Sequence, residues 1–179
     1  MVVSPDETGV SRAVFYSSML SLPLGIFYRR LDYSTRTSNG DHPVKEIRFL
    51  GESCEGKDIL IVDDMVNSGR TITETAQFLR DNGAKDIFCA VPFGLFTDGI
   101  ELVDEYVRKG TIKQVLCTNL TYRRPELLAA PWYVDVNMTP FVARLIDAIN
   151  VDESLGHLVN PSIRIQDLLS QIRIGELFE

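Results

Sequence analysis

With 179 residues, 45% of them apolar, the chain can bury one core and is too short for two full-sized ones. A net charge of −7 excludes a general nucleic-acid-binding surface, which requires a basic face. No apolar run approaches the ~20 residues of a membrane helix, and no charged-then-apolar leader is present, so no membrane partner and a cytoplasmic location are expected.

In chain order, Val2-Val3-Ser4 reads as a strand and Pro5 to Gly9 as a turn. Ser11 to Leu20 follows as a helix ended by Pro23, then Leu24 to Phe27 as a second strand. Residues 28–57 form a polar connection with a turn signal at Asn39-Gly40 and, at Ile47, Phe49 and Leu50, a weak alternation that fits a hairpin arm. Arg29, Arg30, Arg36 and Arg48 fall in or beside it. A connection this long is either a solvated loop or a functional lid. Its arginines fit a flap that closes on phosphates through the bidentate match of guanidinium to phosphate oxygens.

Ile59 to Val62 is a continuous aliphatic run, as in a parallel strand covered on both faces. Helix signals resume at Thr71, where Thr71-x-x-Glu74 reads as a capping box, and stop at Gly83. Asp86 to Val91 is a strand, Asp98 to Lys109 a helix with Ile100, Val103, Tyr106 and Val107 inward, and Gln114 to Cys117 a strand. Trp132 to Val136 is the last strand. Thr139 as N-cap and Pro140 in the first turn open a core helix with the stripe Phe141, Val142, Leu145, Ile146 and Ile149. Cys54, Cys89 and Cys117 are expected to be reduced thiols, the last two within strands. His42 and His157 have no partner at metal-ligand spacing. The alternation predicts an α/β domain over residues 1–150, with a mostly parallel sheet and helices on both faces. Residues 151–179 form a tail, helical from Ser162 to Leu177 on Ile165, Leu168, Leu169 and Ile172.

The chemistry gathers after the aliphatic run. Asp63 and Asp64 stand at the carboxyl end of a buried strand, where open α/β sheets bind ligands. Asn67-Ser68-Gly69-Arg70-Thr71 then leads small donors and a glycine into a helix start, a ready anion site. Paired acids there act either as metal ligands or as acceptors for sugar hydroxyls. Acids beside a phosphate cup suit a molecule that has both hydroxyls and a phosphate.

The stretch from Val62 to Thr71 resembles the phosphoribosyl-pyrophosphate motif of type I phosphoribosyltransferases. Residues 2–13 resemble the pyrophosphate loop of ribose-phosphate pyrophosphokinases, and Phe93 to Gly99 and Thr118 to Arg123 are also similar to that family. The resemblance covers nearly all of this chain but only the C-terminal half of the usual enzyme. It implies that Asp63 and Asp64 bind the hydroxyls of ribose 5-phosphate and that Asn67, Ser68, Gly69, Arg70 and Thr71 cradle its phosphate. It further implies that Asp6, Glu7, Thr8 and Gly9 face the transferred pyrophosphate, that Asp6 helps hold Mg²⁺, and that Arg29 and Arg30 act catalytically from the flap. The substrates would be ribose 5-phosphate and ATP, and the assembly a homo-oligomer, a dimer or hexamer.

Two departures stand out. The family flap opens on Lys-Arg-Arg, whereas this chain has Tyr28-Arg29-Arg30 or, one residue on, Arg29-Arg30-Leu31. Neither register supplies a lysine. Thr8 also replaces a glycine, and its side chain could crowd the approach of a phosphate. Two other readings stay open: a phosphoribosyltransferase of nucleotide salvage or synthesis, and a non-catalytic regulatory homologue.

Overall fold

The computed structural model describes residues 1–31, 34 and 44–175. The elements run β1 (Val2–Ser4), α1 (Val10–Leu20), β2 (Leu24–Leu31), β3 (Val44–Gly51), β4 (Ile59–Val62), β5 (Met65–Val66), α2 (Arg70–Asp81) and β6 (Ile87–Val91). They continue with β7 (Phe93–Gly94), α3 (Glu101–Arg108), β8 (Gln114–Thr118), α4 (Pro125–Ala129), β9 (Tyr133–Val136), α5 (Thr139–Asn150), α6 (Gly156–Val159) and α7 (Ser162–Gly175).

Seven strands form one sheet in the order β3-β2-β1-β4-β6-β8-β9. Every neighbouring pair is parallel except β2–β3. The alternation along β4 shows why its aliphatic run is needed. Ile59 and Ile61 join the larger core with Ile72, Ala76 and Leu79 of α2 and Val103 of α3. Leu60 and Val62 point the other way, into a smaller cluster with Ala13 and Tyr16 of α1. Helices therefore cover both faces, and the expected α/β architecture with a mostly parallel sheet holds.

From β1 the chain crosses through α1 to β2 on one side, whereas from β4 it crosses through α2 to β6 on the other. The order reverses between β1 and β4. Such a switch point leaves a crevice at the carboxyl ends of the strands. The loops after Ser4 and Val62 meet there.

Four expectations are corrected. The arm expected at Ile47, Phe49 and Leu50 forms as β3 of a hairpin, whereas residues 28–31 are strand and not loop. The strand expected over residues 24–27 runs on to Leu31 and pairs antiparallel with β3, from Gly25 opposite Gly51 to Leu31 opposite Val44. Arg29 stays in the ladder because its side chain finds acceptors beneath the sheet, as described below. The turn signal Asn39-Gly40, Arg36 and His42 lie outside the described residues, as does the side chain of His157.

The capping box at Thr71 does not form. Gly69 is the N-cap of α2, with no side-chain capping bond. Glu74 is drawn instead to Arg29. Thr139 is likewise inside α5, whose N-cap is Met138, with Asn137 Oδ1 accepting from the Thr139 amide at 3.0 Å. Finally, α5 is not a core helix. Ala148 is buried, whereas Ile146 and Ile149 are 63% and 61% exposed. In α7, Ile165 and Leu169 are half-buried while Leu168 and Ile172 face solvent, so the covered stripe is narrower than the apolar one.

The thiols behave as expected. Cys54, Cys89 and Cys117 are free and buried, the last two in β6 and β8. Burial pushes the Cys117 thiol up to about 12, and Cys89 still higher, so neither is a nucleophile at neutral pH.

Candidate functional site

The site begins with Gly69. Its φ of +84° lies in the left-handed region, and a Cβ there would stand 2.8 Å from Cγ2 of Val103. Only glycine allows the chain to turn from β5 into α2 while α3 packs against it. The first intrahelical bond of α2 is donated by the Thr73 amide to the Gly69 carbonyl at 3.0 Å. The amides of Thr71 and Ile72 precede it and point out of the helix start, where anions bind.

Behind this turn, the segment after β6 acts as a buttress. β7 pairs with β5, the amides of Leu95 and Phe96 donate to the Val66 carbonyl, and the Thr97 amide donates to the Asn67 carbonyl. The Thr97 hydroxyl also donates to the Asn67 side chain. Phe96 accepts a φ of +45° for this, held by a side chain that is almost wholly buried. Phe93 to Gly99 thus shapes the cup without lining it.

Asp63 and Asp64 come next. Asp63 is 6% exposed and its Oδ1 accepts the Asp64 amide at 2.8 Å, whereas the Asp64 side chain is about half exposed. Burial pushes the Asp63 carboxyl up to about 6. The Asp64 amide opposes the rise, and the neighbouring Asp6 and Asp64 carboxylates add to it.

Arg12 was missed at the level of sequence. Its guanidinium spans the acid pair, with Nη1 3.9 Å from Asp63 Oδ1 and Nη2 3.8 Å from Asp64 Oδ2. Those separations exceed hydrogen-bond length, and Nη1 is buried without a hydrogen-bond partner. The available signal was helical spacing: Arg12 sits one turn after the 5–9 loop, on the α1 face that packs toward β4.

Asp6 stands across the cleft. Its Oδ1 accepts from the Thr8 amide at 2.9 Å, the Thr8 hydroxyl at 2.6 Å and the Gly9 amide at 3.2 Å. The Thr8 side chain is therefore turned onto Asp6. Gly9 is required by crowding, since a Cβ would lie 2.7 Å from Ser4 Oγ. Asp6, Asp63, Asp64 and residues 65–72 line one cleft of about 190 Å³. That is below the ~300–1,000 Å³ of pockets for drug-sized ligands and suits a sugar phosphate better than a whole nucleotide.

The fold brings Asp6, Asp63, Asp64, Asn67, Ser68, Gly69, Arg70 and Thr71 around this space. Glu7 does not line the cleft. Its carboxylate accepts the Arg29 amide at 3.2 Å. Arg29 is only 12% exposed, and its guanidinium is committed to protein acceptors, Pro5, Glu74, Thr71 and Thr75. Arg30 pairs with Glu46 in the ladder, and its side chain lies outside the described residues.

Hard carboxylate oxygens at Asp6 are chemically suited to Mg²⁺. Among the described residues no three His, Cys, Asp or Glu side chains converge as a metal cage. An ion held by one or two carboxylates, water and substrate phosphates does not need such a cage.

Residues 1–118 match the phosphoribosyl transferase domain family. The chain is 32% identical over 127 residues to a provisionally named ribose-phosphate pyrophosphokinase 2 of Streptococcus mutans, covering 71% of this chain and 36% of that protein. It is 26% identical over 158 residues to a ribose-phosphate pyrophosphokinase of Bacillus subtilis, covering 88% of this chain and 46% of the relative. The chain thus spans between a third and a half of these relatives. Its fold is similar to that of phosphoribosylpyrophosphate synthetase from Mycobacterium smegmatis, with a TM-score of 0.69, 24% identity, and coverage of 84% of this chain and 45% of that one. Among the described residues no helix is long and apolar enough to cross a membrane.

Proposed function

The chain belongs to the phosphoribosyl transferase domain family, and from that premise we propose that it is the ribose-5-phosphate and pyrophosphate side of a ribose-phosphate pyrophosphokinase. The observation that carries the proposal is the joint lining of one cleft by the acid pair, the Gly69 helix start and Asp6. The 5-phosphate lies against the amides of Thr71 and Ile72, with Ser68, Arg70 and Thr71 around it. The ribose hydroxyls donate to Asp63 and Asp64. The pyrophosphate lies toward residues 6–9, where Asp6 would help hold Mg²⁺, which would supply charge neutralisation for phosphate oxygens.

In the reaction, the ribose 1-hydroxyl oxygen bonds to the β-phosphorus of ATP and gives up its proton to solvent, the bond from that phosphorus to the α-phosphate oxygen breaks, and AMP leaves. Phosphoryl transfer of this kind rests on positioning and charge stabilisation. Asp63 and Asp64 fix the sugar and the helix start holds its far phosphate, while the cationic role toward the transferred group is assigned to Arg30 on the resemblance of its sequence alone. The sugar-phosphate cleft is too small for the adenine nucleotide. The adenosine part of ATP is therefore assigned outside this cleft, and the assembly is taken to be a homo-oligomer, a dimer or hexamer.

Calorimetry of the 179-residue chain tests the reading. Ribose 5-phosphate binds weakly, and Asp63→Asn with Asp64→Asn lowers that affinity by at least about 100-fold while the circular dichroism stays native. Equal binding by the double variant would sink the ribose assignment. The purified chain releases little or no AMP from ATP, and robust release would show that it holds a whole active site. Binding without turnover in the full-length protein would favour the non-catalytic homologue.

A further inference from the structure

We propose that Arg29 is a positioning residue that ties the loop of residues 5–9 to the first two turns of α2 and makes no contact with phosphate itself. The inference rests on the proposed reading for what the two loops bind, but its geometry does not depend on it. Nε donates to the Pro5 carbonyl at 3.1 Å, Nη1 to Glu74 at 2.9 Å and Nη2 to Thr75 Oγ1 at 3.1 Å, with a longer reach of 3.4 Å to the Thr71 carbonyl. The Arg29 amide also donates to Glu7 at 3.2 Å. One side chain on β2 thereby joins the loop after β1 to the helix after β4.

Strand alternation sends it there. Phe27 and Arg29 share the face of β2 that looks onto α2, where the Phe27 ring stands 5.1 Å from Phe78. Tyr28 points to the opposite face and is largely exposed. A planar fork with donors in fixed directions can satisfy acceptors on two elements at once, which a lysine ammonium cannot. Thr71 belongs to the 5-phosphate cup, and Pro5 precedes the residues assigned to pyrophosphate. The length of the Arg29 side chain therefore sets the distance between the two ends of the substrate. The same residue stands opposite Ile47 in the hairpin ladder, so hairpin and cleft are joined at one point.

Hydrogen exchange of the ligand-free chain, read at single amides, tests the tie. The amides of Thr8 and Gly9 are protected by Asp6, and that of Thr73 by Gly69. In Arg29→Met and Arg29→Lys, exchange at Thr8 and Gly9 rises by about tenfold or more, while β4 and β6 amides keep their protection. In Glu74→Gln, which spares the other contacts, it rises about threefold. Unchanged exchange at Thr8 and Gly9 overturns the proposal, and so does a uniform rise across the sheet, which would mark a global stability effect.

Calorimetry adds a second readout. In the wild type ribose 5-phosphate tightens the binding of Mg²⁺–pyrophosphate. In Arg29→Met each ligand alone binds within about threefold of wild type and the tightening is lost. Loss of pyrophosphate affinity in Arg29→Met, restored by Arg29→Lys, with exchange unchanged, would make Arg29 a phosphate contact instead. A wild-type chain that fails to bind ribose 5-phosphate would refute the proposed function and leave the exchange result to judge the tie.

Discussion

Helix α2 and helix α5 are the same length and carry comparable apolar stripes, yet their surroundings differ. In α2, Ile72, Ala76 and Leu79 are buried against β4 and α3. In α5 only Ala148 is buried, and the isoleucines of its stripe stay open to solvent. The cavities divide in the same way. Met138, Phe141, Leu158 and Arg164 line a space of about 420 Å³ between α5, α6 and α7, larger than the cleft at Asp63. It holds no acidic side chains. Volume would select the C-terminal helices as the site, whereas chemistry selects the switch point. An amphipathic pattern states that a helix needs cover and leaves open whether the chain itself supplies it.

Four substitutions would break or sharpen this contrast. Leu79→Ala empties a site at the centre of the larger core and should cost about 2–5 kcal/mol in denaturant unfolding; a cost below 1 kcal/mol would mean that α2 is no better covered than α5. Gly69→Ala forces a strained φ and a clash with Val103. It should destabilise by about 1–3 kcal/mol and weaken ribose 5-phosphate binding by moving the helix start. Retention of wild-type stability and affinity would remove Gly69 from the argument.

Asp63→Asn should act in the opposite direction. A carboxyl with a folded value of about 6, against 3.8 in the open chain, binds more protons in the folded state between those pH values. Stability therefore falls as pH rises through that window, and its neutral replacement should gain about 1–2 kcal/mol at pH 7. The gain should vanish below pH 4, where both states are protonated. A pH-independent difference would show that burial of the charge is not its origin. The smallest effect belongs to α5. Ile149→Ser should shift stability by no more than about 0.5 kcal/mol, as exposed positions do. A loss matching that of Leu79→Ala would show the α5 stripe to be covered in solution.

Much of the site was legible because its parts are local. Asp63, Asp64 and residues 67–71 are contiguous, and a strand–acid–glycine–helix run admits few geometries. Of the 5–9 loop only Asp6 lines the cleft, because Glu7 is turned onto the Arg29 amide. Arg12 was not, because what matters is its reach across to a strand about fifty residues away. Arg29 was legible as a cation but not in its direction, since strand alternation places it under the sheet only once β2 is known to continue past Phe27. Glu74 was assigned to a capping box by its spacing from Thr71. The box failed because an arginine on β2 offered a stronger, charge-assisted partner at 2.9 Å.

The sequence by itself determined the parallel α/β alternation, the aliphatic strand, the acid pair and the glycine at the helix start, because each depends on neighbours within a few residues. Only the tertiary structure decided that the order of strands reverses between β1 and β4, that two loops about sixty residues apart share one cleft, and that Arg29 joins them. It also decided which apolar stripes are buried. Those outcomes depend on which elements meet across the sheet, and meeting is a property of packing that no local spacing encodes.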